Sequence, residues 1–177
     1  YYTHARDFIY GLDSKSPSLV HQVLARWEEE GLIRAVITQN VDFLHQRAGS
    51  RKVVEIHGTP ATHHCLVCHR QSSFAEIRDR LKRDPAAPRC VCGGSIKPDI
   101  TFFGEALPQS AWHEAMELAR GADLMLVLGT SLTVYPAASI PELTLKAGGR
   151  LVIVNDGATS LDSLATLRFD DLVAVFA

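Results

Sequence analysis

The 177-residue sequence lacks several features that would indicate a membrane, secreted or nucleic-acid-binding protein. It has no run of about 18 apolar residues, which is what a helix needs to cross a bilayer, and no basic-then-apolar start typical of a secretion signal. Its formal net charge is only -2, and its 18 lysines and arginines are scattered rather than gathered into a basic patch. We therefore expect a soluble, cytoplasmic protein that binds neither a membrane nor nucleic acid.

The composition also excludes a disordered chain and a disulfide-rich one. Hydrophobic residues make up 46% of the sequence, so the chain can bury a core, and its length favours one domain with room for a small inserted module. The cysteines number only four and fall into two tight pairs. A metal site in a reducing compartment fits this arrangement better than two disulfides.

Helical and β-branched segments alternate along most of the chain. Ser16-Pro17 predicts the start of a helix that ends at Gly31, and Ile33 to Thr38 predicts a buried strand. The pattern returns as a helix over Gln109 to Arg120, a strand from Leu124 to Leu128, a helix around Ala138 to Lys146 and a strand from Leu151 to Val154. This alternation predicts an α/β fold whose parallel sheet is covered by helices on both faces.

Small or polar residues follow each predicted strand at its carboxyl end. They are Gln39, Asn40 and Asp42 after the first strand, Gly129, Thr130 and Ser131 after the second, and Asn155 and Asp156 after the third. Open parallel sheets bind ligands at the carboxyl ends of their strands. A helix cap would explain one polar residue of the first group but not all three, so we expect a shared ligand pocket that includes His57-Gly58.

The four cysteines lie in an apparent insertion, from about residue 63 to residue 97. Cys65-x-x-Cys68 and Cys90-x-Cys92 offer four thiolates on two knuckles, which suits tetrahedral zinc. Disulfides or free thiols are the alternative, and the tight second pair leaves room for His64 or His69 to replace a cysteine. A zinc ion held by four thiolates has no open position for water, so this site should support structure rather than chemistry.

Six segments resemble, in order and in separation, those of the sirtuins, the NAD-dependent protein lysine deacylases. They are Thr38 to His45, Val54 to Gly58, the two cysteine pairs, Ile96 to Glu105, Leu128 to Pro136 and Leu151 to Asn155. The resemblance implies a Rossmann-like NAD-binding domain of residues 1–62 and 98–177 and a small zinc-binding module of residues 63–97. NAD and an acyl-lysine peptide would bind in the cleft between them.

The resemblance also implies roles for individual side chains around NAD. His57 would be the general base that activates a ribose hydroxyl, because an imidazole can stay neutral and still take a proton near neutral pH. Asn40 and Gln39 would position the ribose and a water molecule, and Asp42 would hold the nicotinamide amide. The phosphate and ribose contacts would come from Gly129, Thr130 and Ser131, and the adenosine contacts from Asn155 and Asp156.

Two further segments resemble the edges that hold the substrate peptide as an added strand. They are Phe103, Gly104 and Glu105 on one side and Leu132, Thr133 and Val134 on the other. Backbone hydrogen bonds supply much of the affinity in this mode, which suits an enzyme that accepts several sequences. For Phe102 and Phe103, core packing is the alternative, and we expect it to apply to at least one of them.

One sirtuin signature, a Gly-Ala-Gly-x-Ser loop, does not occur in these residues. A glycine-rich turn of this kind holds the pyrophosphate of a dinucleotide, so we expect these 177 residues alone to bind NAD weakly and to turn over slowly or not at all. The competing functions are a non-catalytic, zinc-containing module that binds acyl-lysine peptides, and an NADase or ADP-ribosyltransferase on the same scaffold. Acetyl is the default acyl group.

Three further histidines lie close to the cysteines in the sequence, and we expect a structural role for them. We expect His63, His64 and His69 to lie at the surface or around the zinc module, and contact between one of them and the metal is the alternative. The run from Glu55 to Arg70 would then hold two sites, and only His57 would take part in chemistry.

Overall fold

The elements of the chain follow the predicted alternation and add an antiparallel part around the cysteines. The computed structural model describes residues 2, 5, 9–11, 15–84 and 86–170. Its helices are α1 (Leu19–Glu29), α2 (Leu44–Ala48), α3 (Phe74–Arg83), α4 (Gln109–Arg120) and α5 (Ile140–Lys146). Its strands are β1 (Val36–Thr38), β2 (Val53–Glu55), β3 (Gly58–Cys65), β4 (Gln71–Ser73), β5 (Ile96–Ile100), β6 (Leu124–Leu128), β7 (Arg150–Val154) and β8 (Leu167–Phe169).

The strands form two parallel sheets and one antiparallel sheet. Strands β1 and β2 pair in parallel, and β6, β7 and β8 form a second parallel sheet with β7 in the middle. Strands β4, β3 and β5 form the antiparallel sheet, in that order. The predicted α/β class with parallel strands is confirmed. Within the described part of the chain, no helix is long and apolar enough to cross a membrane.

Helix α5 begins at Ile140 and strand β7 at Arg150, each within two residues of the predicted start. Two other boundaries differ from the sequence prediction for a reason that the hydrogen bonds show. Helix α1 is capped by Ser18, not by Ser16, because His21 on its first turn reaches back to that residue: the Ser18 N–H donates to His21 Nδ1 at 3.3 Å. The first strand begins at Val36 rather than at Ile33, because the Ile33 N–H donates to the Trp27 carbonyl and so still belongs to the end of α1. The β-branched run therefore overstated the length of the strand.

A shared apolar cluster holds the ends of the two parallel sheets in place. Its buried members come from β2, the residue after it, α4, the short 3-10 helix before α5 and the start of α5: Val54, Ile56, Ala115, Ala119, Ala137 and Ile140. The Thr144 hydroxyl adds a buried hydrogen bond of 2.8 Å to the Ala119 carbonyl, which ties α5 to α4. Small alanine side chains let α4 approach β2 closely, and the strand ends that follow are thereby fixed.

His63 is buried, so of the two predicted positions the one at the surface is wrong, and the residue lies on β3 two positions before Cys65. Strand β3 points Pro60, His63 and Cys65 inward. The His63 Nε2 lies 2.6 Å from the Tyr10 hydroxyl, and burial lowers the pKa of His63 to about 4. His64 instead is half-buried and bonds through Nδ1 to the Asp99 carboxylate, while His69 is exposed.

The depressed pKa of His63 predicts a pH-dependent stability. The unfolded chain binds a proton at this imidazole near pH 6.5, whereas the folded chain does so only near pH 4. The neutral His63 therefore makes its full contribution to the free energy of unfolding above pH 6.5. As the pH falls towards 4, this free energy decreases by up to about 3 kcal/mol. We expect the stability difference between the parent and His63→Gln, measured by urea unfolding, to narrow over that range.

The exposed His113 on α4 supplies the matched control for this comparison. Replacing it with glutamine should leave the pH dependence of the parent unchanged. A stability difference between the parent and His63→Gln that stays constant from pH 7.5 to pH 4 would contradict the prediction.

Candidate functional site

The two parallel strands β1 and β2 bring His57 and Gln39 together. Their register pairs Thr38 with Glu55, and the Ile56 N–H donates to the Thr38 carbonyl at 3.1 Å, so the residues that follow emerge side by side. His57 Nδ1 lies 3.0 Å from the Gln39 carbonyl oxygen. Because a carbonyl can only accept, Nδ1 carries the proton and Nε2 of the neutral ring keeps its lone pair. In the neutral form of the half-buried His57, Nε2 is thus the acceptor nitrogen.

Gly58 is required at the turn that follows His57. Its φ is +75°, a left-handed conformation that L side chains rarely adopt, and a Cβ at this position would collide with the Asp99 carbonyl. The chain is pinned here because the Thr101 N–H donates to the His57 carbonyl at 2.8 Å. The backbone of His57 is therefore fixed from both of its neighbouring sheets.

Replacement of Gly58 by alanine should destabilise the protein by more than about 1 kcal/mol, since both the φ and the space disfavour a side chain. Gly31 is the matched control, because it has almost the same φ of +74° but no atom within 4 Å of its added Cβ. Urea unfolding of the two alanine variants isolates the contact with Asp99. Equal losses in both variants would show that the backbone conformation alone sets the cost.

The loop from Asn40 to Phe43 is organised by short-range hydrogen bonds. The Asn40 N–H donates to the Thr38 hydroxyl at 3.0 Å, and the Leu44 N–H donates to Asp42 Oδ1 at 2.9 Å. Asp42 therefore bonds the first residue of α2, but the residue at the N-cap position of this helix is Phe43 and not Asp42. Phe43 has a φ of +62°, an unusual conformation for a residue other than glycine.

His45 faces the helix packing behind this loop. Its ring lies 4.5 Å from the His21 ring of α1, measured between centroids. His21 is consequently half-buried against a neighbouring helix. Burial lowers the pKa of both imidazoles.

Glu55 was not predicted as a site residue, yet it lies between the two strand ends. Burial raises the pKa of its carboxyl group, and hydrogen bonds from Gln46 and Thr59 act against that rise. Asp42 adds a further, repulsive contribution. The only signal in the sequence was a charged residue inside the apolar run Val54 to Ile56, which is also compatible with an exposed strand position.

The ends of β6 and β7 form the second group of predicted residues. The Gly129 N–H donates to the Val154 carbonyl at 3.0 Å, and the Ser131 and Thr133 hydroxyls lie 2.9 Å apart. The Thr130 hydroxyl accepts from the Leu132 N–H at 3.2 Å. These short bonds fix a tight turn in which Gly129 has a φ of +59°.

Asn155 and Asp156 behave differently from one another. Asn155 is buried and donates through Nδ2 to the Asp156 and Gly157 carbonyls, at 3.2 and 3.1 Å. Its amide group therefore shapes the turn after β7. Asp156 is exposed at the same strand end.

The two predicted peptide edges differ in how much of them faces solvent. Phe103 is 100% exposed, whereas Phe102 packs partly against the core, so the core-packing alternative holds for Phe102 alone. Gly104 has a φ of +89°, and Glu105 closes this turn by accepting from the Phe102 N–H. On the other edge Leu132 is buried, while Thr133 and Val134 are exposed.

The four cysteines form a closed metal-binding tetrad. Their sulfur atoms all lie within 4.8 Å of one another, with Cys65 and Cys92 Sγ at 3.5 Å and Cys68 and Cys90 Sγ at 3.6 Å. Four sulfurs around one zinc ion at about 2.3 Å each are separated by about 3.8 Å, so the tetrad fits zinc. All four thiols are free, which excludes disulfides, and no histidine of the described residues joins the group.

The backbone of both knuckles favours thiolates. N–H groups of Cys68 and Val67 lower the pKa of Cys65 to about 6, and the Cys92 N–H lowers the pKa of Cys90. The Gly94 N–H acts in the same direction on Cys92, but the neighbouring thiols outweigh it and raise the pKa of Cys92 to about 11. Gly94 leaves the room that this arrangement requires, because a Cβ there would meet Cys65 Sγ.

The comparisons of this chain with known proteins all point to the same family. A Sir2 family model matches residues 1–136. An NAD-dependent protein deacetylase of Thermotoga maritima is 47% identical over 178 residues, which cover 100% of this chain and 72% of the relative. One from Sulfurisphaera tokodaii is 43% identical over 166 residues, which cover 94% of this chain and 66% of the relative. The chain thus spans part of the length of each relative.

Solved Sir2 structures have the same fold. Sir2Tm bound to a propionylated peptide matches with a TM-score of 0.92 and 46% identity, covering 99% of this chain and 74% of that one. Sir2 with a p53 peptide and NAD+ gives a TM-score of 0.92 and 46% identity, covering 99% of this chain and 73% of that one. With the family model, the curated relatives and the solved structures in agreement, the chain belongs to the Sir2 family.

Proposed function

We propose that the protein is an NAD-dependent protein lysine deacylase, which releases nicotinamide and O-acyl-ADP-ribose as it frees the lysine. The observation that carries the proposal is the hydrogen bond between His57 Nδ1 and the Gln39 carbonyl, because it leaves Nε2 free to take a proton. Relatives 47% and 43% identical are named NAD-dependent protein deacetylases, which supports the same activity. Solved relatives hold NAD+ or acylated peptides.

The residues that follow β1 and β2 would act on the ribose and nicotinamide end of NAD. When bound, NAD would supply an electrophilic ribose carbon and a leaving nicotinamide. His57 would take a proton from a ribose hydroxyl, with Gln39 holding the ring in the required tautomer. Asn40 and Asp42, on the organised loop after β1, would orient the ribose and nicotinamide ends.

The second strand-end group would hold the rest of NAD. Gly129, Thr130 and Ser131 would contact phosphate and ribose, since the turn exposes backbone groups at the end of β6. The exposed Asp156 would contact the adenosine side, and Asn155 would support it by fixing the turn. The acyl-lysine peptide would lie between Phe103–Glu105 and Thr133–Val134.

We place residues 63–97 in a separate zinc-binding module and residues 1–62 and 98–177 in the NAD-binding domain. Support for a separate module comes from the cysteine tetrad and from the antiparallel β4-β3-β5 sheet, since the other two sheets are parallel. Strands β3 and β5 run across the two boundaries and so connect the module to the NAD-binding domain. We also propose a cytoplasmic location, because four free cysteines in a metal-binding arrangement suit a reducing compartment.

The proposal is tested by incubating the complete gene product with NAD and an acetyl-lysine peptide. Mass spectrometry should detect deacetylated peptide, nicotinamide and O-acetyl-ADP-ribose in equal amounts. Nicotinamide without deacetylated peptide would instead support an NADase or ADP-ribosyltransferase. Peptide binding without nicotinamide release would support a non-catalytic module.

NAD affinity of the 177 residues alone stays a prediction. We expect weak binding, because no Gly-Ala-Gly-x-Ser turn is present in them to hold the pyrophosphate. Isothermal titration calorimetry, with NAD added to a solution of the 177-residue chain, measures this affinity directly. Micromolar binding would show the expectation to be wrong.

A further inference from the structure

Lys97 makes an unusually complete set of contacts for a lysine. It lies on β5 with only 17% of its side chain exposed. Its ammonium group donates to the Ile100 carbonyl at 2.7 Å and the Pro98 carbonyl at 3.4 Å, and it lies 3.0 Å from Glu105 Oε2. The same group sits 4.2 Å from the centre of the Phe102 ring. All of its acceptors belong to the end of β5 or to the turn that follows it.

The turn from Phe102 to Glu105, named here the 102–105 turn, is closed from both ends. The Phe102 N–H donates to Glu105 Oε2 at 2.9 Å, and the Glu105 N–H donates to the Phe102 carbonyl at 3.0 Å. The Phe102 N–H and then Lys97 lower the pKa of Glu105, so its carboxylate stays charged at neutral pH. Lys97 therefore contacts both residues that close the turn. Its charge pairs with the Glu105 carboxylate, and its ammonium group lies over the Phe102 ring.

The tip of the 102–105 turn has the opposite character. Phe103 is 100% exposed and Gly104 has a φ of +89° with no atom within 4 Å of an added Cβ. The tip thus receives no support of its own from the fold. Its position depends on the closing contacts made by Lys97 and Glu105.

These contacts matter more for binding than for folding. Glu105 is partly exposed, and an ion pair with an exposed partner adds little to the stability of the fold. A loop that is already ordered saves the cost of ordering it when a ligand binds. Removing Lys97 should therefore loosen the tip while the sheet stays intact.

We infer that Lys97 is a positioning residue for the peptide substrate. It presets the 102–105 turn so that Phe103 and the Gly104 backbone meet the acyl-lysine peptide without having to be ordered first. The inference rests on the proposed function, which places the peptide against this turn. Lys97 itself does not contact the reacting atoms.

The test compares Lys97→Met with the parent in the complete gene product. We expect the KM for an acetyl-lysine peptide to rise about fivefold, with kcat and the KM for NAD within about twofold of the parent. Lys97→Arg should restore the peptide KM, because a guanidinium can keep both the ion pair and the contact with the Phe102 ring. A merely structural role would not give this separation of the two KM values.

Lys146→Met is the matched control. Lys146 also pairs with a glutamate, Glu142 at 2.9 Å, but its side chain is 70% exposed on α5, far in sequence from the 102–105 turn. The Lys146→Met substitution removes the same charge as Lys97→Met, and it should change neither the KM for the peptide nor the KM for NAD. Thermal unfolding of all three variants should show that the fold is retained.

The outcomes separate this inference from the proposed function. If the parent forms no deacetylated peptide, the proposed function is refuted. The Kd of the peptide for the parent and for Lys97→Met, measured by fluorescence anisotropy, would still show whether Lys97 affects peptide binding. An active parent with an unchanged peptide KM in Lys97→Met would overturn the inference alone. An equal loss in kcat and both KM values, with a lowered Tm, would also overturn it.

Discussion

Replacement of His57 by alanine is expected to lower the rate of peptide deacylation by about 10²–10⁴-fold, the range typical of a lost general base. His57 is the imidazole at the strand ends whose Nδ1 is committed to a carbonyl, which leaves Nε2 as the proton acceptor. The measurement is the initial rate of deacetylated peptide formation at saturating NAD and peptide.

Two controls decide whether the loss is chemical. His57→Ala should retain the Tm and the circular dichroism spectrum of the parent, because the ring is half-buried and its backbone bond to Thr101 does not involve the side chain. His113→Ala, which removes an exposed histidine of α4, should keep the full rate. A His57→Ala protein that is folded and deacylates within tenfold of the parent would remove His57 from its proposed role.

The interaction between His57 and Gln39 could be anticipated only in outline from the sequence. Polar residues after buried strands predicted a pocket, because parallel strands present their carboxyl ends at one edge. The bond itself depends on the register of β1 and β2, which pairs Thr38 with Glu55. Register is a tertiary property, so neither the tautomer of His57 nor the burial of Glu55 was available from local pattern.

Elements with strong periodicity were predicted closely, whereas residues with distant partners were not. The helix Gln109–Arg120 and the strand Leu124–Leu128 have the predicted bounds, because their apolar spacing is local. The burial of His63 could not be predicted, since the residue packs against Tyr10, which is 53 positions away in the sequence. Lys97 was not singled out because its contacts with the 102–105 turn need the chain to reverse after β5.

Replacement of Cys65 or Cys90 by serine is expected to abolish zinc binding, from about one zinc per chain to almost none. The sulfur spacing allows one ion to contact all four thiolates, and a hydroxyl is a poor replacement for a thiolate ligand. Because metal binding and folding are coupled in closed zinc sites, the Tm should fall by at least about 10 °C. Plasma emission spectrometry and thermal unfolding measure the two effects.

His69→Ala is the matched control for the zinc site. His69 follows Cys68 directly and is exposed, and it does not join the sulfur cluster. The variant should keep its zinc and its Tm. Loss of zinc in His69→Ala, or full zinc retention in Cys65→Ser, would show that the ligand set is not the four cysteines.

The cysteine variants should also lose deacylation, although no catalytic group is removed. Strand β3 runs from Gly58 to Cys65, so it connects the residue after His57 directly to the metal site. Strand β5 pairs with β3 and leads to Thr101, whose N–H holds the His57 carbonyl, and then to the 102–105 turn. Disorder at the metal site therefore reaches both the base and the peptide edge through two paired strands. In line with this connection, activity should fall together with zinc content when the parent is titrated with a chelator, whereas His57→Ala should lose activity with its zinc still bound.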